Sequence, residues 1–208
     1  MFKRVLVIVS CLFVAGLCFG LSKANELSYK RASNSVIYVQ RGNYHGSGFQ
    51  VKADSGKEFL ITARHLCIES PDGYLYATNV DLKGLMVRRK IIGMSFEADV
   101  CAVEALPDVK PFKIAKKLEH WEEVIYAGFP AQLGLSIFTA RILGAVQYTI
   151  GGFTGKYVML NNGVIGGNSG GPVLNKKLEI VGLISLHDDN GLGGFVSFPN
   201  IVKFIGQI

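Results

Sequence analysis

The chain has 208 residues, of which 49% are hydrophobic and 18% charged, with 25 glycines. That balance excludes a disordered tail, which would carry more charge and less apolar surface. The length admits one substantial domain or two small packed lobes, and glycine at this frequency among many Val, Ile and Phe favours an all-β chain with tight turns. The formal net charge of +6 is unevenly placed. Residues 1–24 hold Lys3, Arg4 and Lys23 and no acid, which leaves 19 basic against 16 acidic groups, +3, for the remainder. No Lys/Arg-rich run occurs, so nucleic acid is not an expected partner.

In chain order, Lys3 and Arg4 precede an apolar stretch from Val5 to Leu21, followed by the small residues of Ser22-Lys23-Ala24. This is the layout of a secretory signal peptide over residues 1–24, cleaved after Ala24. Two other readings stay open. Residues 5–21 are at the short edge of what spans a bilayer, which would make the segment an uncleaved membrane anchor. Ile8-Val9-Ser10-Cys11 resembles a lipoprotein cleavage box, although only five apolar residues separate Arg4 from Ser10. All three imply export to the periplasm or beyond.

The remainder, 25–208, reads as short strands at Ser35–Gln40, Gly46–Val51 and Glu58–Thr62, with Gly56 and Lys57 in the turn between the last two. Further strands are expected at Leu85–Ile92 and Val100–Glu104. Residues 107–120 begin with Pro107 and Pro111 and a run of lysines, and read as a connection between an N-terminal lobe of about 33–106 and a C-terminal lobe of 121–208. The second lobe repeats the pattern at Glu123–Gly128, Ser136–Tyr148, Tyr157–Leu160, Pro172–Asn175, Glu179–Ser185 and Gly194–Phe198. Helical spacing appears only in Asn200–Ile208. Two β-barrel-like lobes with a short closing helix follow.

The chemistry centres on Gly166-Gly167-Asn168-Ser169-Gly170-Gly171-Pro172, a serine in a glycine turn just before a strand. Glycines there permit positive φ and let N–H groups approach a bound carbonyl. A serine hydroxyl needs a base and a group to orient that base. His65, following the apolar strand in Leu60-Ile61-Thr62-Ala63-Arg64-His65, and Asp99, opening the apolar run Val100–Val103, supply one candidate for each role. Asp72, Asp81, Asp188 and Asp189 are the alternatives to Asp99, but a carboxylate at the start of an apolar strand needs a buried donor such as imidazole. His45 and His120 read as turn or surface residues.

The order His, Asp, Ser, with Thr62-Ala63-x-His65, Ala98-Asp99-Val100 and Gly167-Asn168-Ser169-Gly170-Gly171-Pro172, resembles the trypsin-like, chymotrypsin-fold serine proteases over residues 33–208. Gly46-Ser47-Gly48-Phe49 resembles their first-lobe hairpin. Asn168, Leu178–Ile184 and Gly193–Pro199 resemble the HtrA/Deg-type branch. The resemblance implies an all-β fold of two six-stranded barrels and an exported serine endopeptidase that needs neither cofactor nor metal and acts on a protein or peptide. A membrane would be involved only through an uncleaved N-terminus. It also implies the triad Ser169, His65 and Asp99, with the N–H groups of Gly167 and Ser169 as the oxyanion hole. Asn168 cannot pair with a freed N-terminus, so activation by N-terminal insertion is not expected. The PDZ domain usual in the branch would follow the closing helix, where this sequence stops at Ile208.

By alignment with the family, Gly163 lies at the floor of the pocket for the residue preceding the cut, Gly194 at its wall, and Val164 and Ile165 along its approach. An uncharged apolar side chain is the expected preference. An extended substrate would add a strand along Ser185, Leu186 and His187, with His187 either facing solvent or favouring an acidic residue. Cys67 and Cys101 each follow a triad residue by two positions. They admit a disulfide, a zinc site shared with His65 and Asp99, or two buried thiols. The alternative function is a trypsin-fold protein that is catalytically silent and binds a peptide or partner, or that cleaves only itself or one dedicated partner.

Overall fold

The computed structural model describes residues 30–31, 33–68, 70, 72–79, 85–119, 121–150, 153–187 and 191–208. The expected signal or anchor segment, His120, Asp81, Asp188 and Asp189 lie outside them. Between Ser33 and Ile208 two antiparallel six-stranded barrels form. The first contains β1 (Val36–Arg41), β2 (Tyr44–Lys52), β3 (Glu58–Thr62), β4 (Tyr74–Thr78), β5 (Val87–Met94) and β6 (Cys101–Glu104), closed in the order β1-β2-β3-β6-β5-β4. The second contains β7 (Glu123–Gly128), β8 (Ser136–Ile150), β9 (Phe153–Leu160), β10 (Pro172–Leu174), β11 (Ile180–His187) and β12 (Gly193–Ser197), closed as β10-β11-β12-β9-β8-β7. Closure leaves neither sheet with a free edge along its full length.

Alternation sets the two cores. Ile37, Val39, Leu60, Leu75 and Val103 fill the first barrel, and Tyr126, Ile142, Leu160, Val181 and Phe195 the second. Gly182 admits the Phe195 ring, since a methyl group there would lie 2.0 Å from Phe195 Cδ2. The strand β4 has no counterpart among the expected elements. Tyr-Leu-Tyr-Ala-Thr is short and only its pairing with β1 and β5 makes it a strand. The strand expected at Leu85–Ile92 lies two residues later, because β5 runs on past a bulge to pair Met94 with Cys101. The β8–β9 hairpin extends to the pair Ile150↔Phe153, beyond the expected ends.

The connection between barrels is hydrogen-bonded along its length. Phe112 N–H donates to Gln50 O at 2.8 Å, and Lys113 and Ala115 bracket Ile180 through bonds of 2.8 and 2.9 Å. Buried Gln50 on β2 adds two side-chain bonds, donating to Val109 O at 2.9 Å and accepting from Leu106 N–H. The closing helix α1 (Phe198–Ile205) starts earlier than expected because Pro199, with its fixed φ, suits a first turn. It buries Ile201, Phe204 and Ile205, and Phe204 and Ile208 reach Gly93 on β5.

Candidate active site

His65 and Asp99 approach because β3 pairs with β6. Thr62 faces Cys101 in that register, so the 3-10 turn Arg64–Leu66 after β3 and the turn before β6 leave the barrel side by side. Ser95 shapes the second turn, accepting the N–H groups of Glu97 and Ala98 at 3.2 and 3.1 Å. Asp99 Oδ1 accepts His65 N–H at 2.9 Å, and Asp99 Oδ2 lies 2.8 Å from His65 Nδ1. Ser185 Oγ, from β11 of the second barrel, donates to the same Oδ2. Burial pushes the Asp99 carboxyl up, but the hydrogen bonds and charge of His65 and the Ser185 hydroxyl outweigh it and hold the group below the usual carboxylate range. The Asp99 side chain is 10% exposed and the His65 side chain 45%, so the imidazole keeps an open face while its partner is enclosed.

Ser169 stands in the turn entering β10. Ser47 N–H on β2 donates to Ser169 O at 2.7 Å, and Gly170 N–H donates to Ile184 O on β11 at 2.7 Å. The turn is thereby held by one strand from each barrel. Gly170 has φ +85° and no room for a side chain: a Cβ would lie 2.0 Å from Ser47 O and 2.9 Å from Ala63 N. Its backbone therefore presses on Thr62 and Ala63, just ahead of His65. Among the described residues no hydrogen bond joins Ser169 Oγ to His65. Resting hydroxyl–imidazole pairs are often loose and tighten on substrate.

The segment before the serine is braced by the side chains of Ser47 and Thr62, which the sequence motifs contained without showing what they bond. Ser47 Oγ, fully buried, donates to Gly167 O at 2.7 Å and accepts Phe129 N–H at 3.0 Å. Thr62 Oγ1 donates to Ser47 O at 2.7 Å. Gly167 has φ +98°, and a methyl group there would meet Phe129 O at 2.3 Å. The N–H groups of Gly167 and Ser169 have no protein acceptor among the described residues. Asn168 is fully buried, with neither amide atom hydrogen-bonded among the described residues. It fits only because Gly128 lacks a side chain, which would come within 2.7 Å of Asn168 Oδ1.

Of the pocket candidates, Gly163 O accepts the Tyr126 hydroxyl at 2.8 Å, Val164 and Leu186 are buried, and Ile165 is 52% exposed. Gly194 lies against Leu186 and Met159 Sδ, at 3.0 and 3.2 Å from its would-be Cβ. Met159 is thus an apolar neighbour that strand pairing, not motif, brings in. The Ser185 hydroxyl is spent on Asp99, His187 is exposed, and both keep their backbone. Cys67 and Cys101, both buried, form a disulfide with Cα atoms 6.6 Å apart. His45, expected as a turn or surface residue, lies half-buried on β2 with its Nε2 buried beside Gly167.

Two closed six-stranded barrels, the first carrying a His–Asp pair and the second a serine in a glycine turn, define the chymotrypsin-like class of folds. Residues 46–183 match the trypsin-like peptidase domain family, and the chain belongs to that family. It is 32% identical to the serine protease Do-like HtrA of Bacillus subtilis over 177 residues, which is 78% of this chain and 38% of the relative. It is 29% identical to the probable periplasmic serine endoprotease DegP-like of Bartonella henselae over 173 residues, 78% of this chain and 33% of the relative. The chain thus spans well under half the length of these curated relatives. In three dimensions it resembles the active form of the Rv3671c protease from M. tuberculosis, with TM-score 0.75 and 18% identity over 90% of this chain and 86% of that one. The HtrA-type protease AlgW with a tripeptide gives TM-score 0.72 at 15% identity, over 87% and 62% of the two chains.

Proposed function

We propose that this chain is an exported serine endopeptidase that hydrolyses peptide bonds through an acyl-enzyme. Ser169 Oγ attacks the scissile carbonyl while His65 Nε2 takes its proton. The tetrahedral oxyanion is received by the N–H groups of Gly167 and Ser169, a contribution of about 10²–10³ in rate per donor. His65 then returns the proton to the leaving amine, and water repeats the sequence on the acyl-enzyme. Asp99 holds the Nδ1–H tautomer throughout, as an enclosed carboxylate kept ionised by its partners.

The observation that carries the reading is the Asp99–His65 pair beside a serine turn that packs on Thr62 and Ala63 and whose two relevant N–H groups have no protein acceptor among the described residues. Two further points support the substrate. On one side the hydrogen bonds to β11 from β10 and the serine turn reach only to Ile184, whereas β12 pairs on to His187. One backbone edge of Ser185–His187 is therefore available to an extended peptide. Glycines at 163 and 194 beside Val164, Leu186 and Met159 favour an uncharged apolar residue before the cut. Export is supported by the layout of residues 1–24 and by relatives named as periplasmic.

The test is intact-mass analysis after a fluorophosphonate probe, with the protein beside Ser169→Ala. One adduct on the parent and none on the variant is expected. No adduct on a folded parent would favour a silent, binding-only protein.

A further inference from the structure

His45 lies outside the catalytic set proposed above, yet it touches the loop on which that set depends. Its ring stacks on Tyr38 of β1, with centroids 6.2 Å apart and planes 15° from parallel, and Tyr38 meets Phe129 edge-on at 5.5 Å. Gln132 Nε2 donates to His45 Nδ1 at 3.1 Å. A methyl group on Gly167 would come within 3.1 Å of His45 Nε2, so the ring packs on the α-carbon of the first oxyanion donor. That Nε2 is buried and has no hydrogen-bond partner among the described residues.

Gln132 belongs to the turn Pro130–Gln132, in which Ala131 and Gln132 hold φ values of 47° and 62°. Consecutive non-glycine residues in the left-handed region persist only where the surroundings impose them. Two polar contacts do so: the Gln132–His45 bond, and Ala131 N–H donating to Gly166 O at 2.8 Å. The second contact sets the plane of the Gly166–Gly167 peptide. In a trans peptide the carbonyl and the following N–H point in opposite directions, so tying Gly166 O to Ala131 turns the Gly167 N–H away from this turn. The turn aims the oxyanion donor, and His45 holds the turn.

We infer that His45 is a positioning residue for the Gly167 N–H, acting through Gln132 and the 130–132 turn, and that its neutral form alone does so. The inference rests on the proposed role of Gly167. With Nδ1 accepting from Gln132, the neutral ring already carries its proton on Nε2; protonation adds an N–H on Nδ1 that faces the Gln132 amide N–H and breaks that bond. Besides His45 itself, the titratable or charged groups on the elements around the ring are Tyr38 and Arg41 on β1 and Tyr44 and Lys52 on β2, with Lys52 at the far end of its strand and the Arg41 guanidinium over the Tyr44 ring at 5.5 Å. Burial raises the Tyr38 hydroxyl above its usual range. Segments 129–134 and 163–168 contribute no acid or base.

The test uses the rate constant of fluorophosphonate labelling from pH 4.5 to 8.5, with the parent, His45→Gln and His45→Ala. In the parent, both His65 and His45 must be neutral, so the acid limb approaches a slope of about two. Gln at 45 can still accept from Gln132 without titrating. It is expected to retain the neutral-pH rate within about threefold and to reduce the slope to about one. Ala at 45 is expected to lose about tenfold at every pH, as a misaimed oxyanion donor should. Equal slopes for parent and His45→Gln would overturn the inference. A readout independent of activity uses Ser169→Ala protein and NMR: the Gly167 amide should follow the His45 titration and cease to do so in the double variant with His45→Gln. A Gly167 amide indifferent to His45 would also overturn it. An unlabelled parent whose Gly167 amide tracks His45 would remove the peptidase reading and leave the coupling standing.

Discussion

Gly170→Ala tests the claim that the serine turn is fixed by backbone contact with the first barrel. At φ +85° an L-residue pays about 1–2 kcal/mol for the left-handed conformation. The added methyl group would also lie 2.0 Å from Ser47 O, 2.4 Å from Thr62 Oγ1 and 2.9 Å from Ala63 N. None of these can yield alone. Thr62 Oγ1 donates to Ser47 O, and Ser47 N–H is bound to Ser169 O. Overpacking against atoms so held costs a further 1–3 kcal/mol or so, giving roughly 3 kcal/mol in all. The matched control is Gly166→Ala, four residues away, where a Cβ meets nothing within 4 Å and stability should change by less than about 0.5 kcal/mol. Denaturant unfolding of both variants beside the parent gives the two differences directly. A loss below about 1 kcal/mol at Gly170, or equal losses at the two glycines, would refute the argument that close backbone approach explains this glycine.

Three further outcomes are expected. Asp99→Asn should lower kcat by about 10⁴, because an amide does not fix the Nδ1–H tautomer of His65. Since the folded protein holds Asp99 below its ordinary value, its ionised form contributes stability above about pH 4 that is lost as pH falls through the folded value. The parent–variant difference in unfolding free energy should thus shrink on acidification, and a pH-independent difference would sink the assignment. Replacing both Cys67 and Cys101 by Ala opens a loop of sequence separation 34, for which chain entropy predicts a loss of about 3–4 kcal/mol in non-reducing denaturant titration. Gln50→Leu leaves Leu106 N–H and Val109 O buried without partners. It should cost about 2–4 kcal/mol, and a neutral result would show that the inter-barrel connection is not held by this side chain.

What could be read in the sequence was local. Short alternating runs specify strands, and Gly167-Asn168-Ser169-Gly170-Gly171 specifies a tight turn, because both signals depend on neighbours along the chain. The unread parts depend on groups far apart in sequence. Ser47 and Gly167 are separated by 120 residues and joined by one hydrogen bond, which no local pattern announces. Met159 enters the pocket region only through pairing of β9 with β12, and β4 exists only through its neighbours. His45 read as a turn residue because a lone histidine near glycines has no distinguishing spacing, while its packing on Gly167 is a contact between barrels.

Gly46-Ser47-Gly48 shows how the two kinds of information combine. As a motif it resembled a family hairpin, without saying why the residues must be small. In the fold each has its own reason. A side chain at Gly46 would come 2.8 Å from Ser169 O, and one at Gly48 would come 2.9 Å from Ile61 O. Ser47 is large enough only to bond Gly167 O and Phe129 N–H. The first barrel thus offers the second a strip of β2 backbone on which the serine turn is laid, and the second returns Ser185 to Asp99. His65 and Asp99 come from one barrel and Ser169 and Ser185 from the other, so the proposed site needs both. The docking of the barrels is therefore part of the proposed chemistry, and a Cβ at Gly46, 2.8 Å from Ser169 O, would press on the turn that carries the serine.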